Sequence, residues 1–209
     1  MTRKNISSNQ GGTSFDPRLG ENKPGRIPLR QDNLVVASVG AEHLPQRKGL
    51  RPRTIRGPLH TQRNAHGDSK YLNQLVNEVL TWPYIESIPP VTFPPKIISI
   101  RLQAVAATND PSAFITGREF ARVLTVMPTI YLALPFDCAH WAALRGWTEP
   151  HYLRSLGMIS VSTAVLYTPR NQEELAVCYF LFSASYHFAL KFWSRDEHAK
   201  QSQLVACEG

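Results

Sequence analysis

Apolar residues recur at helical spacing over Leu72, Leu75, Val76, Val79 and Leu80, and Asp68 or Ser69 can cap that helix. Trp82-Pro83 ends it, because the residue before a proline is pushed out of the helical region. Residues 96–106 (KIISIRLQAVA) alternate around Arg101 and Gln103 and read as a strand. Asn109-Asp110-Pro111 marks a turn. For residues 114–126 the pattern is mixed, and a short helix around Arg118-Glu119-Phe120 followed by extended chain is expected. Residues 129–134 (TIYLAL) are rich in strand formers. Pro135 suits the first turn of a helix running to Arg145 and closed by Gly146. Residues 159–167 read as a third strand. Asn171 with Glu174 three positions on has the form of a capping box, opening an apolar helix over about residues 172–193. Strands before, between and after helices, with connections too short for several crossovers, predict an α+β fold. It is expected to be a single two-layer domain, a mainly antiparallel sheet packed against helices.

The flanks read differently. Residues 1–53 are rich in Gly, Pro, Asn and Arg with one short apolar patch, Leu34-Val35-Val36, and predict a disordered basic leader. Residues 54–66 form a basic connector extended along the body, residues 88–95 a proline-rich loop, and residues 196–209 a flexible C-terminal tail. The folded body therefore spans residues 54–195.

Composition changes the picture in two places. The net charge of +7 resembles a nucleic-acid signal until it is located. Residues 1–65 hold 12 Lys/Arg against 4 Asp/Glu, whereas residues 66–209 hold 11 against 12. The basicity thus belongs to the leader, which has no aromatic interleaving, so no specific nucleic-acid partner is expected. Cys138, Cys178 and Cys207 are odd in number, far apart and without metal-ligand spacing, which points to a reduced intracellular setting. Cys178 reads as a buried small hydrophobe. Residues 1–30 carry no apolar signal-peptide core. The run 175–190 lacks Asp, Glu, Lys and Arg but is short for a bilayer and broken by Ser183, Ser185 and His187; it reads as a buried helix, not a transmembrane segment.

Candidate chemistry concentrates in two runs, residues 146–151 (GWTEPH) and 166–175 (LYTPRNQEEL). No Ser-His-Asp order, glycine-rich phosphate loop or zinc spacing stands out. Together with Leu132-Ala133-Leu134, these runs resemble the fungal luciferase domain family. The likeness extends over residues 118–188, with weaker echoes in residues 57–63 (GPLHTQR). The family's light-emitting members oxidise a hydroxylated styrylpyrone, 3-hydroxyhispidin, with molecular oxygen and no added cofactor. The resemblance therefore implies no cofactor, oxygen as co-substrate, and a small aromatic or polyketide-like ligand. The family pattern carries two histidines one residue apart, then an Asp-Gly-Ser-Leu-His stretch. On this chain those histidine positions fall on Arg122 and Leu124, the aspartate on Met127, the glycine on Pro128 and the last histidine on Tyr131. His151 remains, and Thr148 replaces a second glycine.

Cofactor-free oxygenation needs a base for an acidic enol proton and donors for the resulting oxyanion. The resemblance makes His151 the candidate base, with Arg122 and Tyr131 holding the anion and Trp147, Tyr167 and Arg170 as substrate contacts. Each has a plainer reading. His151 can order the Trp147 turn through a backbone hydrogen bond, Arg122 can pair with Glu119, Trp147 can be core, and Arg170 can pair with a carboxylate. His187 reads as a core histidine, His140 as partly exposed, and His60 and His66 as solvent-exposed. Two functions stay open: an altered oxygenase using His151, or a catalytically silent ligand-binding relative.

Overall fold

The computed structural model describes residues 40–88 and 97–190. Two short strands, β1 (Thr54–Ile55) and β2 (Thr61–Gln62), pair as a hairpin. The main sheet is built from β3 (Ile85–Ile88), β4 (Ile97–Leu102), β5 (Glu119–Leu124), β6 (Thr129–Ala133), β7 (Thr148–Pro150) and β8 (Thr163–Leu166). Its spatial order is β3-β4-β5-β6-β8-β7, and every neighbouring pair is antiparallel. Three helices accompany it: α1 (Ser69–Val79), α2 (Phe136–Leu144) and α3 (Gln172–Ala189). The fold is α+β, a single domain with an antiparallel sheet packed against helices. Among the described residues no helix is long and apolar enough to cross a membrane.

Strand alternation sends two different sets of side chains to the two faces. Ile100, Leu102, Ala121, Val123, Ile130, Leu132, Ala164 and Leu166 face α1 and α3, where they meet Leu75, Val79, Leu181 and Phe182. Each Val, Leu or Ile among them contributes roughly 1.5–3 kcal/mol of transfer free energy, and each Ala less, before conformational entropy is set against it. The opposite face carries Leu124, Tyr131, Ala133 and Val165, joined by Ile115 and the half-buried Leu59.

The caps follow the sequence, with one difference. Asp68 accepts from the Lys70 N–H and Asn171 from the Glu174 N–H. The Glu174 carboxylate, however, does not complete the reciprocal box. It accepts from the N–H of Arg170 instead, because two guanidinium groups draw it outward.

Three expectations are corrected. Residues 119–124 are strand β5 throughout: Gly117, at φ +56°, turns the chain and pairing on both sides overrides any helical tendency of Arg118-Glu119-Phe120. Residues 40–53 belong to the body, not to a detached leader. Leu44 and Arg47 are buried there, the Arg47 N–H bonds Arg145 O, and Arg51 donates to Ala143 O and Thr148 O, so the charges expected to be solvated are spent on the fold. His60, expected in solvent, is 1% exposed. The leader over residues 1–39, the proline-rich loop after Ile88 and the tail over 196–209 lie outside the described residues.

Candidate functional site

One cross-strand row explains why the three catalytic candidates meet. Arg122 of β5 is registered against Tyr131 of β6, Tyr131 against Val165 of β8, and Val165 against Glu149 of β7. Side chains in such a row share a face, here the one away from the helices. His151 follows β7 and caps the 3-10 turn Tyr152–Leu156. Its ring stands edge-on to Tyr131, with centroids 4.5 Å apart. His60 arrives from β1–β2 and brings a second imidazole to 5.3 Å from His151.

Both rings are held the same way. Nδ1 of His151 accepts from the Leu153 N–H at 3.1 Å, and Nδ1 of His60 from the Tyr152 N–H at 3.0 Å. In a neutral imidazole an accepting Nδ1 puts the proton on Nε2. The His60 Nε2 lies 2.7 Å from Glu149 Oε1, a close contact that is not aligned as a hydrogen bond. The His151 Nε2 and the Tyr131 hydroxyl are buried, and neither finds a hydrogen-bond acceptor among the described residues. Both are therefore donors without an acceptor.

Electrostatics keep this group in its donor form. Burial first, then the neighbouring His60 and Arg122, lower the His151 pKa to about 4, so it is neutral near pH 7. Burial raises the Tyr131 hydroxyl to about 12, against the opposing pull of Arg122 and the His60 backbone. Arg122 is held by Glu119 through Nε and Nη2, and that hydrogen bonding raises its pKa further. The pairing with Glu119 is the plainer of the two sequence readings of Arg122. Burial opposes ionisation of Glu149, but the close His60 imidazole and the hydrogen bonds from Thr54 and Tyr167 outweigh it and hold that carboxyl at about 2.

The substrate-contact candidates lie elsewhere. Trp147 packs into the helix-side core and donates Nε1–H to Pro45 O at 2.6 Å, which removes it as a wall for the His151 face. Arg170 is committed to Glu174 and to Lys48 O. Tyr167 alone touches the site, donating its hydroxyl to Glu149 Oε2 at 3.1 Å. Between Trp147 and Tyr167 sits Arg47, its Cζ 5.6 Å and 5.2 Å from the two ring centroids, bonded to Glu174 and to Thr168 O.

His187 is half-buried with its pKa lowered by burial to about 4, while His140 and His66 are exposed. Cys178 is fully buried. Sequence reasoning missed His60 and Glu149. Their signals were present but weak: His60 stands in the run 57–63, and Glu149 two residues before His151. Among the described residues no group of three or more His, Cys, Asp or Glu side chains is arranged to hold a metal ion. Fold and site thus define an α+β protein with a buried donor group on the sheet face opposite its helices. Comparison with known proteins extends this no further: no protein family, curated protein or solved structure matches the chain.

Proposed function

We propose that this chain is a divergent luciferase-like protein that binds a small hydroxypyrone or polyketide-like ligand without carrying out the cofactor-free oxygenation of the family it resembles. The observation that supports this reading is the hydrogen bond from the Leu153 N–H to His151 Nδ1, which leaves the proton on Nε2. Arg122, Tyr131 and His151 offer donors to a carbonyl or enolate oxygen. None offers an acceptor for the enol proton, because Nδ1 of His151 is taken by the Leu153 N–H. The low pKa of His151 makes it a weak base as well.

Oxygen uptake and thermal melting in the presence of a 3-hydroxy-2-pyrone test the reading together. A raised melting temperature with no oxygen consumption above background is expected. Turnover that disappears in His151→Ala would replace it with the second reading, an active oxygenase in which His151 is the base. That alternative draws its support from His60, a second imidazole 5.3 Å away that could take part in proton transfer.

A further inference from the structure

The donor group is covered by a part of the chain attached at few points. Hairpin β1–β2 lies on the sheet face opposite the helices, with Leu59 against the Tyr131 cluster and the His60 ring beside His151. Its root is anchored by Gln62, whose N–H bonds Thr129 Oγ1 at 2.9 Å and whose Oε1 accepts from the Thr168 N–H at 3.0 Å. Its tip, residues 56–58, stands clear of the body: Arg56 and Pro58 are exposed, and a Cβ added at Gly57 would meet nothing within 4 Å. Between root and tip two groups of the body hold it: the Tyr152 N–H, which donates to His60 Nδ1 at 3.0 Å, and the Glu149 carboxylate. Glu149 accepts from Thr54 Oγ1 at 2.5 Å and faces His60 Nε2 at 2.7 Å.

We propose that this hairpin is a lid over Tyr131 and His151, hinged at Gln62 and latched by Glu149. Strands of two residues are only marginally stable alone, so the latch decides how often the hairpin lifts. Tyr131 and His151 are each 2% exposed, so a ligand oxygen reaches them only when it does. The role of the lid in ligand entry rests on the binding reading above; its opening does not.

Amide hydrogen exchange and peptide-resolved carbethoxylation of His151 by diethylpyrocarbonate, both on the full chain, test this. In Glu149→Gln, exchange across residues 54–62 is expected to quicken at least tenfold, and His151 modification with it. Exchange in β5, β6 and α3 should stay unchanged. Thr54→Val, which removes one latch contact, should give a smaller increase in the same segment and serves if the first variant does not fold. Uniform acceleration across the sheet, or none in the hairpin, would overturn the lid. Addition of a 3-hydroxy-2-pyrone to the parent protein should slow hairpin exchange. No effect of the pyrone, with the variants behaving as expected, overturns the binding reading and leaves the lid standing.

Discussion

Replacing Arg47 with alanine tests whether residues 40–53 are part of the fold. The Arg47 side chain is 3% exposed, bonds Glu174 Oε2 at 3.0 Å and Thr168 O at 3.0 Å, and lies over two aromatic rings. Breaking a buried ion pair from one side costs about 3–5 kcal/mol, because the remaining charge is left without its counterpart. Here Glu174 keeps Arg170 through the guanidinium and the backbone N–H, which places the loss at the low end. The forfeited bond to the Thr168 carbonyl adds about 1 kcal/mol. The expected loss is therefore about 3–4 kcal/mol, or roughly 10 °C in melting temperature for a chain of this size. Equilibrium unfolding in urea measures it, with the denaturant slope unchanged. Arg47→Met, which keeps much of the volume without the charge, should separate packing from pairing. Lys48→Ala, beside it but in an exposed pair with Glu173, should leave stability unaltered. A loss below about 1 kcal/mol in Arg47→Ala would refute the reasoning and return this segment to the status of a tail.

Other consequences are equally direct. Gly67→Ala should destabilise strongly, by roughly 1–3 kcal/mol or more, since the added Cβ would lie 2.1 Å from Pro169 O; a melting curve reads the result. Leu132→Ala, at a fully buried β6 position in the helix-side core, should cost about 2–5 kcal/mol in the same assay. His151→Asn keeps an acceptor for the Leu153 N–H but loses the Nε2 donor, so folding should persist while pyrone binding, followed by calorimetry, is lost. Stability should also fall with acid in two stages. The folded pKa of His151 and of His187 is depressed to about 4 from 6.5, so the stability tied to their neutral forms is present above 6.5 and lost as pH drops toward 4. Glu149, depressed to about 2 from 4.5, adds a second loss between those values, and Glu149→Gln should flatten that limb of a pH–stability curve without moving the first.

Much of the scaffold was legible from residue order alone. Helix α1 was visible in Leu72, Leu75, Val76 and Val79, β6 in TIYLAL, and the start of α3 in Asn171 and Glu174, because each signal is local and repeats at the period of its element. The meeting of Arg122, Tyr131 and His151 was expected only through a family resemblance; register across β5, β6 and β8 is what brings them together.

What the chain determines locally is therefore its most regular elements, α1, β4, β6, β8 and α3, their order and the two-layer α+β class, since period and capping act between near neighbours. Burial and partnership were decided only in three dimensions. Arg47 looked solvated until Glu174, 127 positions away, appeared beside it, and His60 looked exposed until β1–β2 folded over Glu149 and Tyr152. The role of His151 turned on the same kind of fact. Which of its nitrogens carries the proton depends on a backbone N–H supplied by the following turn, a geometric relation that no count of residue types contains.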